Sequence, residues 1–216
     1  VPICGHATIA THVVRAIEEH AYGRIMQKTN AGILPVDVTD DNGLITVGIT
    51  QGMPEIHDPF DQSIVDEIVS ALGLRVDDLC SDCPVCIAST GHAKVMVGIK
   101  SLDQLSTLQP DPERLTSLSS QIGCNGYYVF TLHPGEDALV HGRMFAPAIG
   151  NDEDPVTGNA NGPLGAYMVH FGLFPELQKN GELNFSIVQG EAIGRRGTMD
   201  VRVTIDDGEP SVVQIF

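Results

Sequence analysis

The chain has 216 residues, 42% of them hydrophobic, enough for a substantial core in one large domain or two small ones. Its 12 basic residues against 28 acidic ones leave a net charge of −16, a field that repels phosphate backbones and anionic headgroups and makes nucleic acid and membrane surfaces poor partners. No apolar run approaches the roughly 20 residues that span a bilayer.

In chain order, Cys4-Gly5-His6-Ala7 opens an apolar helical pattern carried by Ile9, Val13, Val14 and Ile17, which predicts a helix over 5–22. Alternating segments at 25–29, 33–38 and 44–50 read as strands, punctuated by Ala31-Gly32 and Asp40-Asp41-Asn42-Gly43. Gln51-Gly-Met-Pro54 and Asp58-Pro59 form the clearest linker, so the domain boundary is expected there, with 1–52 in one lobe and 60–216 in the other. Asp61 suits the N-cap of a helix over 64–72 that Gly73 ends. Asp111-Pro112 starts another that runs to about 121, before Gly123. Strands follow at 85–89, 94–99, 127–132 and 139–145, then an acidic loop and a helix carrying Leu164, Tyr167, Met168 and Phe171. Strands at 183–188, 199–205 and 211–216 finish the chain, the last two joined by Asp206-Asp207-Gly208. This is mixed β with single helices rather than the regular βαβ alternation of a Rossmann sheet.

The segment from Phe145 to Tyr167 delivers three acids, Asp152, Glu153 and Asp154, into a helix start made of Thr157, Gly158, Asn159 and Ala160. Those small residues leave the first N–H groups of the helix open to a small anion. The chain begins in the same way, and two alike helix starts suggest related halves facing one substrate. Asp154 can exchange a proton with a bound molecule there, and His6 can donate or shuttle one near neutral pH. On the residues alone, Asp154 is also ordinary Asp-Pro turn chemistry and His6 a solvated first-turn histidine. The other seven histidines form no metal spacing and are expected to be structural. Cys80-x-x-Cys83-x-x-Cys86 has thiolate spacing but no fourth ligand nearby, so no metal is expected. An odd count of five cysteines suits free cytosolic thiols and a cytoplasmic protein.

Six motifs in order, Val1-Pro-Ile-Cys-Gly-His-Ala-Thr8, Ser89-Thr-Gly-His-Ala-Lys-Val-Met96, Ile122-Gly-Cys-Asn-Gly126, Gly142-Arg-Met-Phe-Ala-Pro147, Glu153-Asp-Pro-Val-Thr-Gly158 and Gln189-Gly-Glu-Ala-Ile-Gly-Arg195, resemble those of the phenazine-biosynthesis PhzF-like isomerases. The resemblance covers essentially the whole chain. It implies the diaminopimelate epimerase fold: α+β, two similar lobes, each a curved, mostly antiparallel sheet wrapped around a central helix. It also implies a cofactor-independent isomerase that relocates a proton on a small carboxylate-bearing metabolite held between the lobes, and a homodimer. Asp154 matches the family's active-site aspartate and His6 its substrate-contacting histidine. Gly5, Ala7, Gly158, Asn159 and Ala160 match positions that hold the substrate carboxylate.

The racemases of the same fold use one cysteine from each half as an acid and base pair. Cys4 occupies the first such position and Thr157 the second, and a threonine hydroxyl is too weak an acid for that role. Cys4 is therefore expected to be a small buried side chain. An amino-acid racemase or epimerase, or a non-catalytic binding protein that keeps the pocket, remain the alternatives. The family's principal acid/base is a glutamate upstream of Val1, and Glu18, Glu19 and Glu153 do not match it. The chain is accordingly expected to be truncated at both ends and to lack that residue.

Overall fold

The computed structural model describes residues 4–30, 32–133 and 138–216. The first helix, α1 (Gly5–Glu19), stops short of 22 because His20 turns left-handed and its N–H returns to the Arg15 carbonyl. It buries Thr8, His12 and Ala16, while Val14 and Ile17, expected to point inward, are exposed. Strands β1 (Gly23–Thr29), β2 (Gly32–Asp41) and β3 (Leu44–Thr50) then form the antiparallel meander that the alternation predicts. Val36 and Val38 of β2 and Val47 and Ile49 of β3 fill its inner face.

The expected linker is part of the sheet. Its Glu55–Ile56 forms β4 against β5 (Cys86–Ser89), and the amides of Gln51, Gly52, His57 and Phe60 donate to the carbonyls of Val213, Thr90, Ile87 and Val85. Proline and glycine mark irregular backbone here, but these four donors still find acceptors on neighbouring segments.

Strands β5, β6 (Lys94–Gly98), β7 (Tyr127–Leu132) and β8 (Val140–Ala146) are adjacent, with β6 and β7 parallel. One face packs on α2 (Gln62–Ala71), α3 (Leu102–Thr107) and α4 (Pro112–Ile122) through Val95, Val97, Tyr127, Val129 and Phe145. Asp111 caps α4 as expected, accepting from the amides of Glu113 and Arg114, and Gly123 ends it at φ 70°. Asp61 stands at the N-cap of α2, but its side chain makes no capping bond.

The opposite face packs on α5 (Gly158–His170), which is buried from Ala160 to Val169 and, Asn161 apart, mainly apolar on every side, as a helix enclosed by strands must be. Strands β9 (Asn151–Asp154), β10 (Gln178–Lys179), β11 (Glu182–Gln189), β12 (Gly197–Asp206) and β13 (Glu209–Ile215) complete the set. The hairpin between β12 and β13 turns through Asp207 and Gly208, both at positive φ. The sheet runs β1-β2-β3-β13-β12-β11-β8-β7-β6-β5-β4, with β9 on β8 and β10 on β11. Its pairs are antiparallel except β6 with β7 and β8 with β11. The fold is α+β: a curved, mostly antiparallel sheet that closes on α1 with its first strands and on α5 with the rest.

Candidate active site

The helices α1 and α5 begin alike. Cys4 and Thr157, at their N-caps, have extended backbones, and neither side chain caps its helix. The first N–H groups of a helix have no intrahelical acceptor, so each start presents positive potential. Both open on one cavity of about 290 Å³, which also receives Asp154 from β9, Lys94 from the start of β6, and His92 and Asn125 from the loops before β6 and β7. Of the residues expected from the sequence, His6, Gly5, Asp154, Gly158 and Asn159 all line it. Ala7 faces a separate groove of about 550 Å³ between α1 and β1, and Ala160 is fully buried beneath the α5 start.

Cys4 corrects an expectation. It is exposed and lines the cavity, because its extended backbone at the N-cap holds it outside the helix packing.

The acidic run is a strand rather than a loop. Pairing of β9 with β8, through a bulge between Met144 and Ala146, separates its carboxylates. Glu153 meets Arg143 at 2.6 and 2.9 Å, and Arg143 also donates to the carbonyls of Leu105 and Leu108. Asp154 faces the cavity instead, and its Oδ2 accepts from the Thr157 hydroxyl at 2.7 Å. Buried Gln189 secures this turn. Its Nε2 donates to the Asp154 carbonyl at 2.5 Å and to Thr157 Oγ1 at 3.0 Å, and its Oε1 accepts from the Thr157 amide and from Asn161.

A second amide holds the α5 start to the segment that follows β3. Gln51 Nε2 donates to the Gly158 carbonyl at 2.9 Å while its Oε1 accepts from the Thr90 hydroxyl at 2.5 Å. Gly162 makes this possible, since a β-carbon there would land on the Gln51 side-chain oxygen.

Sequence reasoning missed Lys94. Strand register places Met96, Tyr128, Met144 and Asp154 in one row across β6, β7, β8 and β9, so Lys94, two residues before Met96, shares their face. Its side chain passes over Gly126, just before β7, where a β-carbon would stand 2.6 Å from Lys94 Cδ. Lys94 is only 3% exposed, and burial pulls its ammonium down to about 8, a fall that the Asp154 carboxylate opposes. Its Nζ lies 2.7 Å from His92 Nδ1 and donates to the Ala93 carbonyl at 3.0 Å. His92 is lowered too, by burial first and then by Lys94, so it stays neutral with the proton on Nε2. A lysine opening an otherwise apolar strand was the available signal.

The remaining thiols suit packing. Cys83 and Cys86 are buried and burial raises both, Cys86 to about 12. Among the described residues no group of three His, Cys, Asp or Glu stands close enough to hold a metal ion, and no helix is long and apolar enough to cross a membrane.

Residues 1–215 match the model of the phenazine biosynthesis-like protein family, PhzC-PhzF. An uncharacterized isomerase of Clostridium acetobutylicum is 51% identical over the whole chain and 71% of its own length. The trans-2,3-dihydro-3-hydroxyanthranilate isomerase of Pseudomonas aeruginosa is 27% identical over 99% of this chain and 70% of its own. Among solved structures, the Bacillus anthracis phenazine biosynthesis protein of the PhzF family superposes with a TM-score of 0.83 at 30% identity, covering 100% of this chain and 72% of that one. The chain belongs to the phenazine biosynthesis-like family and is an isomerase of it.

Proposed function

We propose that this isomerase relocates a proton on a small carboxylate-bearing metabolite, with Asp154 and His6 as the proton-handling groups and the α1 and α5 starts as the carboxylate cradle. The observation that carries this reading is the meeting of Asp154, His6 and two uncapped helix starts at one cavity. A helix N-terminus stabilises an anion through its open amides, which fixes the substrate so that a carboxylate and an imidazole can act on neighbouring carbons. The cavity lies where residues 1–52 meet 60–216, which on this reading are the two lobes.

Cys4 could serve a two-thiol racemase, but the matching position is Thr157, whose hydroxyl is already committed to Asp154. The carboxylate and imidazole pair is therefore preferred. The substrate named for the Pseudomonas relative, a hydroxylated ring acid, is the first compound to try. The protein is screened against carboxylate metabolites for saturable thermal stabilisation, and each ligand found is incubated in D2O and followed by NMR. Isomerisation or deuterium incorporation that Asp154→Asn abolishes supports the reading. Ligands that bind without either change overturn it.

A further inference from the structure

We propose that Lys94, backed by His92, is a specificity-determining anion anchor, and that the substrate carries an anionic oxygen directed at the β6 side of the cavity. The inference rests on the reading of this cavity as a substrate site and adds a second point of charge recognition to it.

An ammonium taken out of water is costly unless something repays the lost hydration. Among the described residues, Lys94 meets only His92 Nδ1 and the Ala93 carbonyl within hydrogen-bonding distance, both neutral acceptors, and no carboxylate within ion-pair distance. An ammonium has three donors, so one remains for the cavity that Lys94 lines. The other two hold Nζ in place.

The surroundings keep this cation for a ligand. Asp154 stands on the same sheet face and attracts Lys94 through space, but its Oδ2 is taken by Thr157 and its main-chain carbonyl by Gln189. Cys124 lies behind Lys94 with its thiol raised by burial, and His6 reaches the cavity from α1. His92 is neutral and, with Nδ1 facing Lys94, has its N–H on Nε2 as a further donor. Gly126, just before β7, leaves room for the lysine stem, so the fold makes space for this placement. A structural lysine would pair with a carboxylate or reach solvent.

The test uses the full chain with benzoate as the anionic probe and benzamide as its neutral counterpart. The sequence has four lysines, Lys28, Lys94, Lys100 and Lys179, so protein carrying 13Cε-lysine gives few resonances, with Lys94 assigned by its loss in Lys94→Met. We expect benzoate, and not benzamide, to shift the Lys94 signal and raise the pH at which it titrates, since a bound anion favours the charged form. Lys94→Met, close in volume and without the buried charge, should fold with an unchanged circular dichroism spectrum and bind benzoate about tenfold or more weakly. Lys94→Arg should recover part of that binding. Unchanged benzoate affinity in Lys94→Met, or a Lys94 titration that saturating benzoate does not move, overturns the proposal. Asp154→Asn separates it from the catalytic reading: the Lys94 response persists in that variant whether or not turnover is found.

Discussion

Thr157 donates its hydroxyl proton to Asp154 Oδ2 at 2.7 Å, so the residue placed to cap α5 holds the cavity carboxylate instead. Capping by a threonine side chain is typically worth about 1 kcal/mol. Giving it up leaves the helix start uncapped and orients an acid beside it, the arrangement an anion-handling site requires.

That arrangement makes Asp154 the first residue to change. Asp154→Asn should lower turnover by about a hundredfold or more with the fold retained, because the amide preserves shape but cannot take up the proton. His6→Ala should lose both affinity and rate. Steady-state kinetics on the first substrate found checks both; unchanged kinetics in Asp154→Asn would leave that residue as turn chemistry.

The Thr157 hydroxyl is predicted to position Asp154 rather than react. Thr157→Val should lower kcat more than it raises KM, and Thr157→Ser, which keeps the hydroxyl, should restore most of the rate. Equal kinetics for the valine and serine variants would show that the hydroxyl does not matter.

Gly162→Ala tests the close approach of Gln51. In an ordinary helix interior this change stabilises by about 0.5–1 kcal/mol. Here the added methyl would overlap the Gln51 side chain and break its bonds to Gly158 and Thr90, so the sign reverses and we expect a loss of about 1–3 kcal/mol in urea denaturation.

Lys94 gives a pH dependence with a definite sign. Its folded-state value, about 8, lies below its ordinary 10.5, so between these limits the unfolded chain binds more protons and stability rises with pH. Lys94→Met should therefore be more stable than the parent at pH 7, and the gap should shrink as pH rises from 8 to 10.5. Paired denaturation curves at pH 7 and 10 measure it; a gap that stays constant would mean the lysine is not held in a desolvated state.

Thiol reactivity should follow burial. Cys4 is exposed, whereas Cys83, Cys86 and Cys124 are buried with raised thiols, so a disulfide reagent at pH 8 should modify Cys4 rapidly and those three only on unfolding. Peptide mapping after brief labelling decides the order.

Most elements were legible because their signals are local. The strand 127–132 matches β7 end for end, and Asp111-Pro112 with Gly123 bracketed α4, because alternation, an N-cap carboxylate and a left-handed glycine act over a few residues. The motifs also named His6, Gly5, Asp154, Gly158 and Asn159, which share the cavity. The run Asn151–Asp154 could not be read as β9: acids have low strand preference, and it is a strand only because β8 supplies its partner and Arg143 neutralises Glu153. Lys94 was equally hidden. Its meaning depends on the register of four strands distant in sequence, on a glycine in β7's approach that lets its stem pass, and on the burial that results. Sequence by itself determined most of the elements, the family and the residues at the two helix starts; only the tertiary structure decided the partner-dependent strands and which charges face one another, because desolvation and pairing are properties of neighbours that the chain brings together by folding.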